Sequence, residues 1–241
     1  LSAIMSFTVF RFSTGLSIGG MYHFAPIPPL TLMNLLEGAI LGAVGAAVAL
    51  LFVLIFRTVG YLTAPLHHQT ILLAMLGGLS IGLIALVFPQ TLFFGEKQID
   101  TVIEHGASYG IALLLAIGLA KMLTISCTLH SGFRGGFIFP LFYIGSVVGL
   151  AISLGFPQIH PTIAMVCMMA AVNVAITKTP ISSTVILSVI ADTSMVPVIV
   201  IASLTSFLLT TQVSLIKTQR SRTVTAGEYQ PTAKMPVPAI A

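Results

Sequence analysis

Ser131-Gly132-Phe133-Arg134-Gly135-Gly136-Phe137-Ile138-Phe139-Pro140 lies between two apolar runs of membrane length and sets a glycine pair directly before the second of them. Glycines at that place let the backbone turn sharply and leave the first N–H groups of the following helix unobstructed. Those N–H groups have no intrahelical partner, and the helix dipole adds roughly half a positive charge. An anion is the natural partner of such a helix start. No Lys or Arg need touch the ion, because a full opposite charge holds it too tightly for conduction. A plain glycine loop ahead of a helix gives the same pattern, since every helix start offers free N–H groups. The stretch alone leaves both readings open.

The rest of the chain is built for lipid. Of 241 residues, 56% are hydrophobic and only 7% are charged, ten Lys and Arg against six Asp and Glu. An average soluble domain carries about 25% charged residues, and the mean hydropathy of +1.07 agrees with the deficit. This composition excludes a soluble enzyme, a disordered chain and a nucleic-acid binder, which needs clustered Lys and Arg against phosphates. The surplus of four positive charges reports orientation in the membrane. Cys127 and Cys167 sit in apolar surroundings and read as buried small side chains, not as a disulfide framework. The chain opens inside an apolar run, Leu1–Phe10, closed by Arg11, with no charged region ahead of it. That predicts a fragment beginning within a membrane helix, with no signal peptide.

A crossing helix needs about 20 apolar residues. Leu35–Phe56, Ile71–Phe88, Ser108–Cys127 (with Lys121 inside it), Phe137–Phe156 and Val196–Val213 qualify. Thr162–Ile176 and Ile181–Ala191 fall short, and Lys178-Thr179-Pro180 and Asp192-Thr193-Ser194 interrupt the pattern. Short apolar segments of this kind read as re-entrant or broken helices, the sequence pointer to a site near the membrane midplane. Gly38/Gly42, Gly78/Gly82 and Gly145/Gly149 carry the four-residue spacing that lets helix backbones approach closely. Residues 1–222 are read as the transmembrane domain. Residues 223–241 are read as a polar, disordered tail, with Lys217, Arg220 and Arg222 placing that end in the cytoplasm.

The loop resembles the anion-binding loop of the chloride channel and proton/chloride antiporter family, usually written Gly-x-Phe-x-Pro and here Gly136-Phe137-Ile138-Phe139-Pro140. Met169–Asp192 is similar to that family's late Gly-Met-x-Ala segment with a basic-x-Pro-Leu-Thr continuation. Ile4–Phe56 resembles its central helix pair, Phe94-Gly95-Glu96 an extracellular linker, and Lys121 a basic residue ahead of the loop. The resemblance covers most of residues 1–222, as the second of two inverted halves plus the end of the first. It implies an all-α polytopic membrane protein, with tilted, partly broken and re-entrant helices, that forms a homodimer with one pore per subunit. It implies that the backbone N–H groups of Phe137 and Ile138 contact chloride, with Gly135 and Gly136 permitting that geometry. It also implies that the short helices Thr162–Ile176 and Ile181–Ala191 pack near the dimer interface.

The sequence departs from the family in several places. The loop phenylalanine falls at Ile138, which a backbone contact tolerates. The pore tyrosine of the last helix has no counterpart near Val213, and an acidic residue is missing at about Val189. The serine-bearing loop, the gating glutamate and the proton-transfer glutamate of the family belong before Leu1.

Ser131, Arg134, Pro140 and Lys121 are the residues expected beside the pore. Arg134 either steers anions or anchors the loop, and Pro140 fixes the first helical turn. Lys121 either faces a polar cavity or snorkels to the nearer interface. Glu37 is expected at a helix N-terminus, where the dipole favours it. Glu96, Lys97, Asp100, Glu104 and His105 read as a solvated linker face, and Asp192 as a cap or turn. His67-His68 lacks further ligands for a metal, and no hydrolase, metalloprotease or phosphate-loop motif is present. The expectation is therefore transport of chloride or a similar monovalent anion, with no catalytic residue, metal, cofactor or nucleic acid. The setting expected is a bacterial plasma membrane. Channel and antiporter stay open. So do two alternatives: a cation-coupled transporter of another substrate, and an inactive half-length remnant.

Overall fold

The computed structural model describes residues 5, 9, 13, 22–27, 29–66, 68–133, 135–191 and 193–213. Among these residues it is all-helical: α1 (Leu32–Thr63), α2 (Thr70–Val87), α3 (Glu96–His105), α4 (Gly110–His130), α5 (Ile138–Gly155), α6 (Pro161–Thr177), α7 (Pro180–Ile190) and α8 (Val196–Thr210). Five segments are long and apolar enough to cross a membrane: Leu32–Leu66, Thr70–Val87, Glu96–His130, Ile138–Gly155 and Thr193–Thr210. The short helices are the two anticipated, α6 and α7. Arg11, His67, Arg134, Asp192 and the whole stretch from 214 to 241, including the basic cluster and the tail, lie outside the described residues.

α1 opens at Thr31, whose N–H and hydroxyl both reach the Asn34 side-chain oxygen at 2.9 Å. The Asn34 amide in turn donates to Glu37 Oε2 at 3.0 Å. Glu37 is buried, one turn deeper than the helix start at which it was expected, and Asn34 satisfies part of its carboxylate there. At about 1.5 Å per residue, the 32 residues of α1 are longer than the hydrocarbon core is thick, so this helix must tilt or project.

The core is α6. Every residue from Thr162 to Ile176 is buried, and the helix is enclosed by α5, α1 and α8. The two short helices, both expected near an interface with a second copy, differ in exposure within one chain. α6 is interior, while α7 presents Ile181, Val185 and Val189 outward. α5 and α6 meet at glycine: a Cβ on Gly145 would lie 2.5 Å from Met169 Cα, and one on Gly149 2.6 Å from Ala164 O. Gly38 and Gly42 similarly seat Val198 and Ala202 of α8. The third glycine pair behaves differently, because Gly78 and Gly82 face open space.

Polar bonds close the α6, α7 and α8 triangle. Asn173 Nδ2 donates to Ser183 Oγ at 2.8 Å, Thr184 Oγ1 to Ser203 Oγ at 3.4 Å, and Ser206 Oγ to Ala171 O at 2.7 Å. Such bonds join helices where lipid removes the hydrophobic drive between them. The interruption between α6 and α7 has a local cause. Lys178 ends α6 in the left-handed conformation at φ 59°, and Pro180 starts α7. The Lys178 ammonium donates to Thr210 O, the last residue of α8.

Gly149→Ala is expected to lower the melting temperature of the detergent-purified protein, costing about 1–3 kcal/mol through overpacking. Gly82→Ala, whose Cβ meets nothing within 4 Å, should leave it unchanged or raised. Equal effects of the two would remove the α5–α6 contact as the determinant of the core.

Candidate functional site

The loop is built from the end of α4. Ser131 N–H bonds back to Cys127 O at 3.0 Å, and Phe133 N–H to Thr128 O at 3.2 Å. Gly132 between them has φ +84°. This is a glycine-terminated helix end, and it makes the sharp turn. Gly135 and Gly136 were expected to turn the chain, yet neither has positive φ among the described glycines. Both are exposed, and a Cβ on either would meet nothing within 4 Å. They keep the backbone bare at this point.

α4 is anchored at the same end. His130 Nε2 donates to Phe56 O at 2.9 Å, and its ring lies 4.2 Å from that of Phe56. Ser131 is buried against α2 at Gly77, where any Cβ would strike its Oγ. Ser131 therefore packs behind the loop.

Phe137 caps α5 and Ile138 is the first helical residue. The first bond of the helix runs from Leu141 N–H to Phe137 O at 3.0 Å. Ile138 and Phe139 thus carry N–H groups with no intrahelical acceptor. Pro140, third in the helix, has no N–H at all. The donors at this start are narrowed to Phe137, Ile138 and Phe139, with the dipole of an 18-residue helix behind them.

Beside this helix start lies a cavity of about 220 Å³, bounded by α2, the Thr91–Phe94 turn, α4 and the loop. Gly135, Gly136, Phe137, Pro140 and Lys121 all line it. Of the other expected residues, Ile138 is 40% exposed and is not among those that line the cavity, and Arg134 lies outside the described residues.

Lys121 does not snorkel. It is 1% exposed, and its ammonium donates to Thr91 O at 2.8 Å and Phe93 O at 2.7 Å. The Tyr143 ring centroid lies 5.5 Å away. These bonds draw the turn after α2 inward. Phe93 adopts φ 59° and Gly95 φ 95° to make it, and a Cβ on Gly95 would lie 2.9 Å from Tyr143 Cβ. The Phe94-Gly95-Glu96 linker is consequently folded against α5, while Glu96, Lys97, Glu104 and His105 of α3 form the expected exposed face. The cavity walls at Thr124 and Thr128 were not anticipated. Their hydroxyls bond within α4, to Ala120 O and Thr124 O, and nothing in their spacing marks them.

Residues 1–211 match the family described as voltage gated chloride channel. The protein named "Putative ion-transport protein YfeO" of Salmonella newport (strain SL254) is 26% identical over 193 residues, which is 78% of this chain and 46% of that protein. Its namesake in Salmonella agona (strain SL483) matches with the same figures. Among solved structures, the crystal structure of a CLC-type fluoride/proton antiporter superposes with a TM-score of 0.72 at 19% identity, over 88% of this chain and 52% of that one. The chain thus spans about half the length of these relatives, and the structural match shows a shared fold.

Gly95→Ala is expected to destabilise the protein by about 1–3 kcal/mol, the cost of a side chain in a sparsely allowed backbone region, with a lower melting temperature. A melting temperature equal to the wild type would show that the inward turn does not depend on Gly95.

Proposed function

The chain belongs to the voltage gated chloride channel family, and on that footing we propose that it moves chloride or a similar monovalent anion across the membrane. The ion is held by the backbone N–H groups of Phe137 and Ile138. The observation that carries this reading is the start of α5. Unbonded N–H groups, a bare glycine pair and a proline that removes the next donor follow one another there, and Gly135, Gly136, Phe137 and Pro140 line one cavity. Dipoles hold an anion without neutralising it, so it binds strongly enough to lose water and weakly enough to leave. Gly135 and Gly136 keep Cβ atoms out of its way. Pro140 presets the first turn, Ser131 seats the loop on α2, and Arg134 and Lys121 contribute positive potential along the path.

The same reading places the protein in a bacterial plasma membrane as a homodimer. The exposed apolar side chains of α7 and α8, among them Ile181, Val185, Leu204 and Leu208, support a further partner surface. The Lys217, Arg220 and Arg222 cluster supports a cytoplasmic C-terminus. The structural relative is named for fluoride and proton exchange, so fluoride belongs beside chloride in the test, and channel and proton-coupled modes are both compatible with this site.

Anion efflux from liposomes holding the full-length protein tests the reading. Gly136→Leu should slow efflux at least about tenfold, the scale of one lost hydrogen bond to a charged group. Gly82→Leu, on the open face of α2, should not. Undiminished chloride and fluoride efflux in Gly136→Leu would overturn the role of the loop.

A further inference from the structure

The segment Ser131–Phe137 joins α4 to α5 and includes Gly132, Gly135 and Gly136. Glycine leaves a backbone free to take many conformations, and a hydrogen bond weakens steeply as its distance and angle depart from the optimum. The N–H of Phe137 belongs to this segment, so it is only as well placed as the two ends of the segment hold it. On the α5 side, Gly145 and Gly149 lock the helix against α6. The other end depends on the last turn of α4.

That turn is fixed by one residue in particular. The hydroxyls of Thr124, Ser126 and Thr128 bond carbonyls of α4 itself. His130, directly before the loop, reaches another helix: its Nε2 donates to Phe56 O at 2.9 Å, and its ring lies 4.2 Å from the Phe56 ring. Gly60 makes the room for this, since a Cβ there would lie 2.6 Å from His130 Cε1. The Phe56 ring in turn lies 6.0 Å from that of Phe52, which is buried in the core, and α1 packs along α6. Both ends of the loop are thereby referred to the same interior helix, one through α5 and the other through His130 and α1.

We propose that His130 is the positioning residue of the anion loop: its bond to Phe56 O fixes the end of α4, and through it the Phe137 N–H. The proposal rests on the reading that the amides of Phe137 and Ile138 hold the anion. His130 does not line the cavity, so it acts through the loop and not on the ion. Without the bond the donors are all still present but less well placed, and the ion is held more weakly while its passage is intact. Loss of mere packing would instead lower the amount of folded protein and leave the affinity as it was.

Initial efflux of chloride, and in parallel of fluoride, from liposomes holding the full-length protein tests this. Increasing the internal anion concentration separates an apparent KM from the maximal rate. His130→Leu, which removes the donor, should raise the KM about tenfold, the scale of a hydrogen bond to an ion, without lowering the maximal rate per folded protein. His130→Gln, whose amide nitrogen can stand where Nε2 stands, should keep the KM near that of the wild type. Gly60→Ala leaves His130 in place but pushes its ring off Phe56, and should raise the KM as His130→Leu does. A maximal rate that falls at an unchanged KM, or a His130→Gln variant as impaired as His130→Leu, overturns the positioning role while the loop site stands. Undiminished efflux in Gly136→Leu, or a wild type that passes neither anion, overturns the reading beneath it. Should His130→Leu fail to fold, Gly60→Ala decides, and an unchanged KM there overturns the role.

Discussion

A backbone N–H in lipid has no water to bond, so a helix that begins inside a membrane bundle leaves donors that something else must satisfy. α5 begins with such donors, since Ile138 and Phe139 have no intrahelical acceptor. Its capping residue, Phe137, lines a cavity among α2, α4 and the turn after α2. Much of the surrounding structure keeps that helix start where it is. α4 ends on Gly132 and is tied to α1 through His130, the body of α5 is locked to α6 through Gly145 and Gly149, and Lys121 draws the Thr91–Phe93 turn against it.

The poverty of charge takes its meaning from the same constraint. Sixteen charged residues in 241 (ten basic, six acidic) cannot cover a soluble surface. A site made of backbone dipoles does not need them. The exceptions are therefore informative. Glu37 is buried with Asn34 as its partner, and Lys178 closes the end of α8. Among the described charged residues, Lys121 alone lines the cavity at the loop.

Segments governed by local pattern were legible in the sequence. The apolar runs from Leu35 onward became helices within about three residues of the expected bounds, save that α1 continues seven residues past Phe56 to Thr63. The breaks at Lys178–Pro180 and the helix start at Ile138 followed from proline, glycine and length. Features set by tertiary contact were not legible. Spacing could not tell that Gly145 and Gly149 pack on α6 while Gly78 and Gly82 face outward, since both pairs look alike along the chain. Nor could it tell that α6 is the core, because a short apolar helix reads the same inside a bundle or at its edge. Lys121 was visible as an anomaly, but its acceptors are main-chain carbonyls 28 and 30 residues away, and carbonyls leave no trace in residue type.

The central claim is that main-chain N–H groups at the start of α5 are the ligands of the anion. Amide hydrogen exchange on the full-length protein, read by mass spectrometry with and without a saturating halide, tests it directly. The account predicts that the halide slows exchange in the segment containing Phe137 and Ile138 and leaves the ends of α3 unaffected. Exchange at Phe137 and Ile138 that is the same with and without the halide would contradict it.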